Sequence, residues 1–136
     1  MTASHAAALL YIGLTLLLFV VLSVRVSFAR RRYQVGFGAG EKTELERIVR
    51  AQGNFAEYGA LFLLGLAGLS YASEPAWLIH LLGILFLIGR DVFAWALSQP
   101  GPLGYMPGRV FGMALTWGPL IVAGVLLVVV AVARVR

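Results

Sequence analysis

The sequence predicts an all-α integral membrane protein, a four-transmembrane-helix up-down bundle. Hydrophobic residues make up 60% of its 136 positions and charged residues 12%, whereas a soluble domain is nearer half apolar and a quarter charged. Mean hydropathy is +0.88. Four stretches approach the roughly 20 apolar residues that a bilayer-crossing helix needs. The links between the later spans are short and rich in Pro and Gly, which makes neighbouring helices antiparallel.

The first span covers about 6–26. It is longer than a signal-peptide core, and no Lys or Arg precedes it, so it reads as a retained membrane helix. The second covers about 52–71, after a polar approach that begins near Leu45. Ser73-Glu74-Pro75 then makes a tight link, with Pro75 placed where a helix starts. The third span covers about 76–97. Gln99-Pro100-Gly101-Pro102 breaks the chain, Gly104 to Gly108 continues the break, and the fourth span covers about 110–133. Residues 1–136 thus form a single membrane domain with no soluble module.

Seven of the eleven basic residues fall between Arg25 and Arg50. The positive-inside rule makes that loop cytoplasmic and the amino terminus external. Arg134 and Arg136 fall on the opposite side and weigh against this orientation, but the early charges dominate. Because the basic excess sits between two apolar spans, it does not point to nucleic acid. The chain has no cysteine, which excludes disulfides, thiolate metal sites and a cysteine nucleophile. His5 and His80 lack metal-ligand spacing, so no metal is expected. The glycines Gly59, Gly65 and Gly68 permit close helix approach.

Ionisable groups inside a membrane helix are expensive and mark a site, a pairing or a wet cavity. Arg50, Asn54 and Glu57 follow i, i+4, i+7 spacing and lie within about 60° on one helical stripe, which Glu46 extends. Two readings fit: a salt-bridge ladder between helices, or a polar groove for a zwitterionic ligand. Arg90 lies deep in the third span, and its structural expectation is to answer Glu57 across the bundle. Asp91 is expected to partner an arginine. Arg109, just before the fourth span, is either an interfacial anchor or a fixed cation at a cavity mouth. A lone four-helix bundle can hardly hide all these groups from lipid, so an assembly of copies with a shared interior is expected.

The run Arg50-Ala51-Gln52-Gly53-Asn54-Phe55-Ala56-Glu57-Tyr58 strongly resembles the signature of the MAPEG family, the membrane-associated proteins of eicosanoid and glutathione metabolism. Ala29-Arg30-Arg31-Arg32-Tyr33-Gln34-Val35 resembles the basic segment ending the first span of that family's leukotriene synthases. Gly89-Arg90 and Arg109-Val110-Phe111-Gly112 resemble its third- and fourth-span motifs. The likeness runs over nearly the whole chain and suggests a bacterial-type member.

The resemblance implies a trimer that binds reduced glutathione between subunits as co-substrate, without a metal. Arg30 and Arg50 would hold its carboxylates with help from Gln52, and Asn54 would bond its backbone. Glu57 would take the ammonium and Tyr58 would add a hydroxyl, with Arg90 grouped in the same site. Arg109 would face the sulfur as the catalytic cation, and Arg31 would assist. The expected function is a glutathione transferase or peroxidase acting on lipophilic electrophiles in a bacterial inner membrane. The chain departs from the pattern at Phe93 and Leu97, where relatives carry His or Tyr and Tyr. Both departures favour the alternative, a non-catalytic lipid-binding or scaffold protein on the same fold.

Overall fold

The computed structural model describes residues 1–101 and 104–135; Pro102 and Arg136 lie outside them. Among the described residues there are four helices: α1 (Ala3–Tyr33), α2 (Thr43–Tyr71), α3 (Ala76–Ser98) and α4 (Met106–Val135). The protein is an all-α membrane bundle. Three of these helices, α1, α3 and α4, are long and apolar enough to cross a bilayer. α2 has the length, but its first half, which includes Arg50, Asn54 and Glu57, is polar. That is one span fewer than the four expected from apolar length.

The helices overrun the sequence-based spans. α1 has 31 residues, about 46 Å at 1.5 Å per residue, so its last turns carry Arg30, Arg31 and Arg32 beyond a hydrocarbon core of about 30 Å. Gln34 ends it in the left-handed region (φ 54°). The amides of Gln34 and Val35 return to Arg31 O and Arg30 O, and so satisfy carbonyls that the helix end would orphan. α4 begins at Met106 rather than after Gly108. A proline tolerates the first helical turn because its missing N–H is not needed there, and Pro107 occupies that turn. Arg109 therefore lies inside α4, not ahead of it.

Hydrogen bonds at both ends fix the up-down order. At one end Ser4 Oγ donates to Glu74 O (2.5 Å) and Arg134 Nη2 to Ala72 O (3.1 Å). The start of α1, the α2–α3 link and the end of α4 thus meet. Arg134, which weighed against the orientation, there bonds the carbonyl of the residue that ends α2. Tyr11 and His80 add a side-chain bond of 3.0 Å between α1 and α3 near this end. At the other end Arg47 of α2 donates to Gln99 O (2.7 Å) and to Gly101 O. Every helix pair touches except α1 and α4, so α2 and α3 form the diagonal that holds the bundle.

The core sits on that diagonal. Phe62 and Phe86 are fully buried and stacked, with ring centroids 3.9 Å apart. The closest approaches, however, belong to α3. A Cβ on Gly83 would overlap the Tyr11 ring. One on Gly112 would lie 2.8 Å from both Gly89 O and Phe93 N. Gly108, Gly112 and Thr116 are all buried at four-residue spacing, a small-residue stripe that lets α4 seat on α3. The glycines of α2 do less. Gly68 and Gly65 meet side chains of α4, and Gly59 is left in ordinary contact.

Candidate functional site

The stripe on α2 splits in two. Asn54 is 4% exposed, while the Arg50 and Glu57 side chains are 58% and 55% exposed and pair with each other at 3.2 Å. A 60° spread is enough to turn Asn54 into the bundle while its neighbours face out. Glu57 therefore does not answer Arg90. Arg90, 2% exposed, donates instead to Asn54 Oδ1 (2.5 Å) and reaches Met113 Sδ (3.4 Å). Its guanidinium carbon lies 5.4 Å from the Tyr58 ring centroid, 6.0 Å from Phe86 and 5.1 Å from Phe93. Its Nε has no acceptor, and no carboxylate stands within ion-pair distance among the described residues. Asp91, expected to partner an arginine, is exposed and makes no ion pair among the described residues. Adjacent residues point about 100° apart, which turns it away from Arg90.

A cavity of about 410 Å³ opens beside α2, lined among others by Glu46, Arg47, Arg50, Gly53, Leu97 and Arg109. It brings together two of the expected cations, Arg50 and Arg109, from different helices. Arg109 meets Met106 Sδ at 3.6 Å and the Phe93 ring at 5.9 Å. Arg47 was not singled out from the sequence, where it counted only as loop charge. Its bonds to the α3–α4 link hold one wall of the cavity. The only signal was its place three residues before Arg50, one turn up the same helix face.

The remaining expected residues lie apart from this cavity within one chain. Arg30 folds over its own loop, donating to Gly38 O (2.7 Å) and Val35 O (3.5 Å). Arg31 is exposed at the end of α1. Gln52 bridges to Ser23 Oγ of α1 (3.5 Å), and Tyr58 turns its ring to Arg90. A second, apolar groove of about 280 Å³ runs between α1 and α2, lined by Thr15, Phe19, Phe55, Gly59 and Leu63 among others. No group of three or more His, Asp or Glu that could hold a metal occurs among the described residues.

Comparison with known proteins gives the same frame. The MAPEG family model matches residues 8–129. The chain is 29% identical over 112 residues to the inner membrane protein YecN of Escherichia coli K12, covering 82% of each chain. It is 33% identical over 113 residues to the uncharacterized protein sll1147 of Synechocystis, covering 80% of this chain and 82% of that one. No solved structure is significantly similar.

Proposed function

The chain belongs to the MAPEG family of membrane proteins in eicosanoid and glutathione metabolism, and we propose that it is a glutathione transferase or peroxidase for lipophilic electrophiles. The observation that carries this reading is the cleft shared by Arg50 and Arg109, with Glu46 on its wall and Glu57 two turns from Arg50. Glutathione has two carboxylates, one ammonium and one thiol. Guanidinium forks suit carboxylates because two N–H groups can bond in parallel, and a carboxylate suits the ammonium.

The site is completed between copies in a homotrimer. The Arg50–Glu57 pair faces outward from a helix that lies against the membrane, and so does Asp91. Lipid is a poor surrounding for such charges, whereas a neighbouring copy is a good one. Arg30, Arg31 and Gln52 of one copy then serve the cleft of the next. The proposed placement is the bacterial inner membrane, with the cleft on the cytoplasmic side.

In the proposed chemistry, a thiol with an ordinary pKa of about 8.5 loses its proton to water, and an adjacent cation stabilises the thiolate. Arginine stays charged and is no base at neutral pH, so Arg109 acts electrostatically. The thiolate sulfur forms a bond to the electrophilic carbon, and the leaving group departs with the electron pair of the broken bond. The apolar α1–α2 groove, one turn from Glu57 along α2, is the entry proposed for the lipophile from the bilayer.

Arg109→Ala tests the reading. Glutathione binding stays within a few-fold, while conjugation falls by about 100-fold to 1,000-fold, the cost of removing one preorganised donor at developing charge. The ultraviolet absorbance of bound thiolate disappears with it, and Arg109→Lys recovers part. Normal turnover by Arg109→Ala would remove Arg109 from the role and leave Arg31 as the cation. Phe93 and Leu97 favour a second reading, a lipid-binding scaffold without chemistry. A wild type that neither forms the thiolate nor turns over would support it.

A further inference from the structure

We propose that Phe93 is a positioning residue: one aromatic ring holds both Arg90 and Arg109 and keeps the sulfur end of the cleft positively charged. This rests on the glutathione reading above. Phe93 is 6% exposed and sits one turn after Arg90 on α3. Its ring centroid lies 5.1 Å from the Arg90 guanidinium carbon and 5.9 Å from that of Arg109 on α4. Both distances fall within the roughly 6 Å reach of a cation–π contact. A single ring therefore serves two cations carried by two helices.

The backbone fixes this arrangement. Gly89 and Gly112 let α3 and α4 approach until a Cβ on Gly112 would lie 2.8 Å from Phe93 N and 2.9 Å from Phe93 Cβ. The backbone of α3 at Phe93 is thus held directly against the helix that carries Arg109. Arg109 stands one turn before Gly112 on the same face of α4, so close seating of the helices delivers it to the ring.

The kind of partner matters as much as its place. A carboxylate would hold a guanidinium and cancel its charge. An aromatic ring attracts the cation through its quadrupole and cancels none of it. The contacts of Arg90 are neutral throughout: Asn54 Oδ1, Met113 Sδ and the rings of Tyr58, Phe86 and Phe93. The buried charge is left uncompensated, one ring away from the cation that lines the cleft. An anion arriving at Arg109 meets the field of both. Phenylalanine cannot donate or accept a hydrogen bond as His or Tyr would, so its contribution runs through the ring alone.

The test uses the purified full-length protein with reduced glutathione. Thermal protection by glutathione is measured first, then thiolate absorbance as a function of pH. Phe93→Leu keeps an apolar side chain and removes the ring. Pentafluorophenylalanine at the same position keeps the shape and reverses the quadrupole. Phe93→Tyr keeps the ring. The midpoint of thiolate formation is expected to rise by about half a pH unit in the first two, the equivalent of one exposed cation–π contact. It should stay at the wild-type value in the tyrosine variant. Conjugation below the midpoint should fall about three-fold in parallel.

A merely structural ring would lower thermal stability in Phe93→Leu and leave the midpoint unmoved, which overturns the proposal. An unmoved midpoint with the fluorinated ring overturns it even if Phe93→Leu does not fold. A tyrosine variant that tracks the leucine one overturns it too. Absence of glutathione protection in the wild type removes the glutathione reading and this inference together. Protection and a normal thiolate signal with no effect of the ring removes the inference alone.

Discussion

Asn54 is the sharpest place to perturb the bundle. Among the described residues its Oδ1 is the one oxygen that accepts from the buried guanidinium of Arg90, at 2.5 Å. Asn54→Ala removes the acceptor and leaves the charge. A hydrogen bond to a charged group contributes about 1.5–3 kcal/mol, and breaking a buried charged pair from one side costs about 3–5 kcal/mol. The Met113 contact and the three rings remain, so a loss of about 2–3 kcal/mol is expected, near the lower ends of both ranges. Arg90→Met removes the charge itself and its desolvation penalty. It leaves only a neutral amide unpaired, at about 1–3 kcal/mol. The double variant Asn54→Leu/Arg90→Met removes both polar partners and should be more stable than Asn54→Ala, within about 1 kcal/mol of the wild type. Reversible unfolding in mixed detergent micelles measures all three. Additive losses in the double variant, or an Asn54→Ala protein as stable as the wild type, would refute the view of Arg90 as a buried charge anchored by one amide.

Four further outcomes are expected. Glu57→Gln should weaken glutathione binding, measured by calorimetry, by about 1–3 kcal/mol, while the trimer persists. Gly112→Leu should force α4 off α3 and destabilise by about 1–3 kcal/mol or more, as over-packing does. Gly118→Ala, where a Cβ meets nothing within 4 Å, should melt at or above the wild-type temperature. Native mass measurement of the purified complex should return three copies per particle, and monomers alone would defeat the intersubunit site.

Antiparallel order was legible because short links dictate it directly, and the four helices because each stretch between links is long enough for one, although α2 is too polar to count by apolar length. Their ends were not. Apolar runs stop where lipid stops, whereas α1 continues to Tyr33 and α2 starts at Thr43, since charged residues propagate a helix well in water. The run Arg50-x3-Asn54-x2-Glu57 was legible as a set but not as a split. Spacing places three residues on one side of a helix without saying where the edge of burial falls, and here it falls between Asn54 and its companions. Arg90 shows the same limit: a buried cation calls for a partner, and sequence suggests a carboxylate, yet an amide, a thioether and three rings share the work. The part of Phe93 was hidden for a related reason. It depends on the approach of α3 to α4 at Gly89 and Gly112, a long-range contact that no local pattern announces. Nor does local pattern show that Arg47 reaches across to carbonyls 52 and 54 positions away.

The two ends of the bundle are tied differently. Ser4 to Glu74, Arg134 to Ala72 and Tyr11 to His80 join the end that holds the α2–α3 link. At the cavity end Arg47 straps α2 to the chain that leads into α4, through Gln99 O and Gly101 O. Arg50 stands one turn from that strap on α2, and Arg109 on the helix that follows the strapped link. The strap therefore works as a spacer, and its length sets the gap between the two cations.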